Sequence, residues 1–203
     1  MELLYGTSNP GKLQHMREML GGLGIEIVGL NDVDLHIGYI DESGNNPLDN
    51  ARVKALAYYR AAKMPVFSCD SGLFVEALRD EEQPGVHVRR VNGKVLNDEE
   101  MIEHYSSLAL KLGGELKARY KNAICLVLNE ENVYEYDGED ISSESFLIAS
   151  KAHVKRIAGF PLDSLSLHNE SRKYYMDIED YCNIENDKLA MGFRNFFIKT
   201  ILK

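Results

Sequence analysis

Residues 3–20 read LLYGTSNPGKLQHMREML, and their pattern sets the fold class. Leu3-Leu4-Tyr5 is a short apolar run that stops at Gly6, as a buried strand does. Asn9 has the side chain of a helix N-cap, and Pro10 suits the first helical position, where its missing N–H is no loss. Met16, Met19 and Leu20 then recur at helical spacing. A strand, a tight turn and a helix in succession open an α/β domain.

The rest of the chain extends that unit. Ile25–Leu30 reads as a second strand, the Ser43–Pro47 cluster as a break, residues 48–63 as a long helix, and Pro65–Cys69 as a third strand. Asp70-Ser71-Gly72 interrupts two apolar runs, which predicts a strand end with Asp70 at its carboxyl edge, where open α/β sheets gather ligands. Val75–Leu78 continues or pairs with that sheet, and a polar helix start at Asn97–Glu100 leads through Leu112 to Gly113-Gly114. From Glu115 to about Ile148 the pattern changes to an antiparallel section, with apolar Ala123–Leu128 and alternating Val133–Tyr136. A loop around Gly159–Asp163 and a helix over residues 188–202 complete the reading. With no repeat, low-complexity tract or linker, residues 1–203 read as a single domain.

Composition removes several classes of function. A formal charge of −9 and the lack of any basic run of five residues argue against general nucleic-acid binding. Cys69, Cys125 and Cys182 have neither metal-site spacing nor an even count, so they read as reduced thiols. The N-terminus lacks the basic and apolar regions of a secretory signal, and no apolar stretch approaches the roughly 20 residues of a membrane span. The expectation is a soluble, cytoplasmic protein without a membrane partner.

Three short segments carry the chemistry. Gly6 to Lys12 fits seven of the eight positions of the phosphate-loop pattern G-x-x-x-x-G-K-[ST]. Leu13 cannot ligate magnesium and Pro10 has no N–H for a phosphate, so the match is accidental. An anion site survives it: the Thr7 and Ser8 hydroxyls, the Asn9 amide, the helix N–H groups and the Lys12 ammonium converge. In Asp49-Asn50-Ala51-Arg52-Val53-Lys54-Ala55, Asn50 and Lys54 share a helix face, with Asp49 in the first turn. Asp70, third, can hold Mg²⁺ or activate water.

Thr7-x-Asn9-x-x-Lys12, Asp49-Asn50-Ala51-x-x-Lys54-Ala55, Asp70-Ser71-Gly72-Leu73 and Pro84-Gly85-Val86 together resemble, in order and spacing, the Ham1-like or inosine triphosphatase family. That resemblance implies an elongated, two-lobed mixed α/β fold around a central twisted sheet, with an active-site cleft and a homodimer. It implies Mg²⁺-dependent cleavage of nucleoside triphosphates, typically of inosine, xanthosine or deoxyinosine, to monophosphate and pyrophosphate. Residue by residue, it implies that Thr7, Ser8, Asn9, Lys12 and Lys54 bind the triphosphate. Asp70 is the implied metal ligand and base, Asp49 a second metal ligand, and Ser71, Arg90, Phe160 and Asp163 further substrate contacts.

The chain departs from the family's pattern at defined places. Asp49 stands where members carry glutamate, and Cys69-Asp70 replaces an acidic pair. The Gly-Phe-Gly-Tyr-Asp-Pro type of loop is here Gly159-Phe160-Pro161-Leu162-Asp163-Ser164, and Glu185-Asn186-Asp187 stands in place of Ser-His-Arg. A catalytically impaired or base-switched nucleotide-binding protein of the same fold is the alternative these departures raise.

Overall fold

The opening stretch folds as its pattern predicts: β1 (Glu2–Tyr5) runs into a turn and then α1 (Pro10–Met19). β2 (Glu26–Gly29), α2 (Pro47–Ala62) and β3 (Val66–Val75) follow, then the short β4 (Arg90–Val91) and β5 (Lys94–Val95). α3 (Asp98–Lys111), β6 (Glu115–Val127), β7 (Val133–Tyr136), β8 (Phe146–Ala149), β9 (Ser166–His168) and α4 (Tyr181–Ile201) complete the chain. The computed structural model describes residues 1–35, 37–179 and 181–202, and within α4 it describes side chains from residue 188 onward. Cys182 and the Glu185-Asn186-Asp187 segment lie outside the described side chains.

The strands hydrogen-bond in the order β2-β1-β3-β6-β8-β9, with β7 beside β6. β1 pairs in parallel with both β2 and β3, whereas β6 pairs antiparallel with β7 and β8, and β8 with β9. The sheet is therefore mixed: parallel where helices connect the strands, antiparallel in the later section, as the change of pattern after Glu115 requires.

The residues group into two compact units, and β3 and β6 contribute to both. The first comprises residues 1–71, 121–142 and 186–203. Its core joins Leu3 and Tyr5 of β1, Met16 and Met19 of α1, Phe67 of β3, Ile124 of β6 and Phe193 and Phe197 of α4. Tyr5 stacks on Phe67 at 4.5 Å between centroids, and Phe197 meets Phe67 edge-on at 5.1 Å, geometries that suit the ring quadrupole. The second comprises residues 72–120 and 143–185, with a core of Leu73 and Val75, Met101, Ile102 and Tyr105 of α3, Ile148 of β8, and Leu162 and Leu165.

One expectation is overturned. β3 does not end at Asp70; it runs on through Asp70-Ser71-Gly72 to Val75. Turn chemistry lost to pairing: Leu73 exchanges both backbone hydrogen bonds with Gly85, at 2.9 and 3.0 Å. Gly72 allows that approach, since a Cβ there would lie 3.1 Å from the Gly85 carbonyl carbon. Asp70 thus sits mid-strand, not at a carboxyl edge. The C-terminal helix also begins earlier than residue 188, at Tyr181.

Candidate active site

The turn between β1 and α1 is fixed by its own side chains. Asn9 Oδ1 accepts from the N–H groups of Gly11 at 2.9 Å and Lys12 at 3.3 Å, and the Asn9 N–H donates to Thr7 Oγ1 at 3.2 Å. Asn9 is the N-cap and Pro10 the first helical residue. These bonds correct one expectation: the Gly11 and Lys12 amides are held by Asn9, leaving the Thr7 hydroxyl as a donor, the exposed Ser8 hydroxyl and the Lys12 side chain to meet an anion. Gly6 has no room for a side chain, because a Cβ would fall 2.2 Å from Ser68 Oγ and 2.6 Å from the Tyr58 ring.

A second set of groups is built by α2 and β3. Lys54 Nζ donates to Asp70 Oδ1 at 2.7 Å and lies 3.2 Å from Glu42 Oε2. Asn50, one turn earlier on the same helix face, donates from Nδ2 to Asp70 Oδ2 at 3.1 Å while its Oδ1 accepts from the Gly44 N–H at 2.9 Å. Asn50 and Lys54 are both buried, so each must find a partner, and each finds the same carboxylate. Each Asp70 oxygen receives one hydrogen bond and keeps a further lone-pair site for a proton, a water or a metal.

Electrostatics tie Lys12 to this group. Burial, with the Lys54 charge close by, lowers the Lys12 pKa, and Asp70 and Glu42 offset it only in part. For Lys54, burial also pulls down, but Asp70 and Glu42 outweigh it and the pKa is raised. Burial pushes the Cys69 thiol up to about 12 despite both lysines, so it is neutral at pH 7 and packs in the core. Two ammonium groups therefore lie close to two carboxylates, Asp70 and Glu42, both of which are within 3.2 Å of Lys54, and a polyphosphate entering here meets cations already held by those carboxylates.

The remaining predicted residues are placed as follows. Asp49 Oδ2 accepts from Asn46 Nδ2 at 2.7 Å, and Asn46 Oδ1 caps α2 at the Asp49 N–H at 2.9 Å. Its carboxylate thus serves the helix start. Ser71 follows Asp70 in β3 and is half-buried. In the second unit, Arg90 is exposed in β4. Phe160, half-buried, caps the 3-10 turn Pro161–Leu165 that contains Asp163, and the Asp163 N–H donates to the Phe160 carbonyl at 3.2 Å.

Glu42 is the residue that sequence reasoning missed. It lies in an irregular segment before α2, and the one local hint is Gly44, whose Cβ would fall 2.6 Å from Asn50 Oδ1. Among the described residues no group of three His, Cys, Asp or Glu side chains forms a metal cage. A cation at Asp70 and Glu42 therefore needs oxygens from elsewhere, as Mg²⁺ takes from substrate phosphates and water.

Known proteins with similar sequences and folds identify the family. The Ham1 family profile matches residues 3–141. A dITP/XTP pyrophosphatase of Bradyrhizobium diazoefficiens is 32% identical over 140 residues, 67% of this chain but only 64% of that relative's length. A dITP/XTP pyrophosphatase of Leptospira interrogans is 31% identical over 204 residues, covering 98% of both chains. Among solved structures, a HAM1 protein from Coxiella burnetii superposes with a TM-score of 0.76 at 21% identity, over 98% of this chain and 99% of that one. The Staphylococcus aureus Ham1 protein gives 0.67 at 22% identity, over 98% of each. With the profile covering more than half of its length, the chain belongs to the Ham1 family.

Proposed function

We propose that the chain is a Mg²⁺-dependent nucleoside-triphosphate pyrophosphatase that converts deaminated purine triphosphates, those of inosine, xanthosine and deoxyinosine, to monophosphate and pyrophosphate. The observation that carries this reading is Asp70 held by Lys54 at 2.7 Å, with Lys12 close enough for the Lys54 charge to lower its pKa. The printed activity of the relatives, dITP/XTP pyrophosphatase, supports it.

Roles follow from chemistry. Lys12, the Thr7 and Ser8 hydroxyls and the turn set by Asn9 receive the phosphates. Lys54 is shared between its carboxylates and the incoming anion, and as it turns to phosphate it frees Asp70 Oδ1 to take the proton of the attacking water. That water forms the new bond to phosphorus, and pyrophosphate leaves with the electron pair of the broken P–O bond. Asp70 and Glu42 already direct hard oxygen donors at one positive charge, a donor set that fits Mg²⁺. When bound, Mg²⁺ neutralises phosphate charge and draws electrons from the bond that breaks. Asp49, the second metal ligand by resemblance, is held by Asn46, and we assign that place to Glu42. Ser71, Arg90, Phe160 and Asp163 are assigned to the rest of the nucleotide, Phe160 by stacking on the base. The protein is assigned to the cytoplasm as a homodimer; among the described residues no helix is long and apolar enough to cross a membrane.

The test is a product-resolved assay over deaminated, standard purine and pyrimidine triphosphates, with and without Mg²⁺. Pyrophosphate release that needs Mg²⁺ and is lost in Asp70→Asn is expected; orthophosphate release, or no turnover of any triphosphate, overturns the proposal. Glu42→Gln is expected to weaken Mg²⁺ activation more than Asp49→Asn, and the reverse order returns the metal to Asp49. A second reading, a nucleotide-binding protein without turnover, is favoured by one observation: Cys69, neutral at pH 7, stands where the family pair has a carboxylate. Tight calorimetric binding of triphosphates without product selects it. Light scattering on the purified protein checks the dimer.

A further inference from the structure

In the second unit, the first turn of α3 carries three acidic residues that do different work. Glu100 belongs to the helix: it closes a capping box with Asn97, each side chain accepting from the other's N–H at 2.9 Å. Asp98 and Glu99 are not needed for the cap, and both turn to the loop that leads to Phe160. Asp98 Oδ2 accepts from the Gly159 N–H at 3.1 Å, and its Oδ1 lies 2.7 Å from Arg89 Nη2. Glu99 Oε1 accepts from Arg156 Nε at 2.8 Å, and Arg156 also bonds the His153 carbonyl of its own loop.

This loop needs such anchors. Residues 154–159 are exposed and outside any strand, so no ladder holds them. Gly159 itself has a φ of +82°, a conformation glycine alone adopts at little cost, and the Asp98 carboxylate fixes its N–H there. The next residue is Phe160, whose carbonyl takes the Asp163 N–H. The Arg89 guanidinium and the Gly159 amide together hold the Asp98 carboxyl below the usual carboxylate range.

We propose that Asp98 is a positioning residue for base discrimination: bridging Arg89 and the Gly159 amide, it holds the segment that presents Phe160 to the base. The inference rests on the triphosphate reading above and on Phe160 meeting the base. A flat ring discriminates bases only when its plane is fixed, and a displacement near 1 Å is costly at such a contact. Arg89 supports Asp98 and does not touch substrate.

Steady-state kinetics and amide exchange by NMR on full-length Asp98→Ala, Asp98→Asn and Arg89→Met test it. In Asp98→Ala, KM for the preferred purine triphosphate is expected to rise about tenfold with kcat within about twofold, since ground-state placement of the base is what is lost. The ratio of kcat/KM between the preferred and the poorest base narrows by a similar factor, and Gly159 amide exchange speeds up by about tenfold. Asp98→Asn, which keeps an acceptor for the amide, recovers part of both effects; Arg89→Met moves both in the same direction as Asp98→Ala with the acid retained. Unchanged Gly159 exchange overturns the proposal, as does faster exchange with base ratios within twofold. If the wild-type protein turns over no triphosphate, the pyrophosphatase reading fails separately, and the same comparison is made on calorimetric affinities for the same triphosphates. Loss of base preference in Asp98→Ala then sustains the proposal, and unchanged preference, or no binding by the wild type, overturns it.

Discussion

Lys12 and Lys54 bring the same charge into one small volume, and their surroundings move them in opposite directions. Lys12 has its folded-state pKa lowered, by burial first and then by Lys54. Its protonated form therefore costs stability below that pKa, and the cost fades as pH rises toward the unfolded value of about 10.4. Lys54 has its pKa raised, Asp70 and Glu42 outweighing burial. Its contribution is fully present below the unfolded value and is lost as pH rises through the folded one. Lys12→Met is thus expected to stabilise the ligand-free protein at pH 7, a gain that shrinks as pH approaches about 10.4. The same change is expected to weaken inorganic tripolyphosphate by about tenfold or more, the loss of one charge-assisted contact. Lys54→Met is expected to destabilise by about 3 kcal/mol, because it leaves Asp70 partly buried without its cation. Urea melts at pH 7 and pH 10 with calorimetric titration of tripolyphosphate check all of this. A Lys12→Met variant less stable than wild type at pH 7 defeats the account of that lysine.

At the level of elements, the start of α1 separates a structural role from a binding one. Asn9 Oδ1 holds the Gly11 and Lys12 amides, so Asn9→Ala is expected to cost about 1 kcal/mol of stability. Asn9→Asp keeps an equally good cap and suits the helix dipole, so its stability stays within about 0.5 kcal/mol of wild type. Its new negative charge repels phosphate, and tripolyphosphate affinity falls. Equal affinity in Asn9→Asp and wild type moves the phosphates away from this helix start. Such a cap was legible in the sequence because its signals are local: Asn9-Pro10 for α1 and the Asn97 to Glu100 box for α3 need no distant partner. The course of β3 was not legible, because Asp70-Ser71-Gly72 has turn composition and only distant partners make it a strand: β6 beside β3, and Gly85, thirteen residues beyond Gly72, opposite Leu73. Glu42 was hidden for the same reason: the partner that gives it meaning, Lys54, is reached only after α2 has folded. Asn50 and Lys54 were visible as one helix face, but that both meet Asp70 depends on the placement of β3 beside β1.

Across the whole molecule, 32 acidic residues against 23 basic ones give a net charge of −9, and the proposed substrate is also an anion. The far field of the protein therefore opposes its approach, while the near field of Lys12 and Lys54 attracts it. These two act over different lengths. The Debye length falls from about 30 Å at 0.01 M salt to about 10 Å at 0.1 M, so added salt removes the far repulsion first. Lys12 and Lys54 are partly desolvated, so salt screens the proposed phosphate contacts at them much less. A triphosphate stays negative with one Mg²⁺ bound, so the sign of the long-range term does not change. The expectation is that kcat/KM at fixed free Mg²⁺ rises by roughly two- to threefold as potassium chloride goes from about 0.01 to 0.1 M, the opposite of a steered basic enzyme. In Lys12→Met the rise persists from a lower starting value, because the far field is nearly unaltered by one charge. A kcat/KM that falls steeply with salt over this range means that local cations dominate the approach from solution, and the acidic surface then has no part in setting the rate.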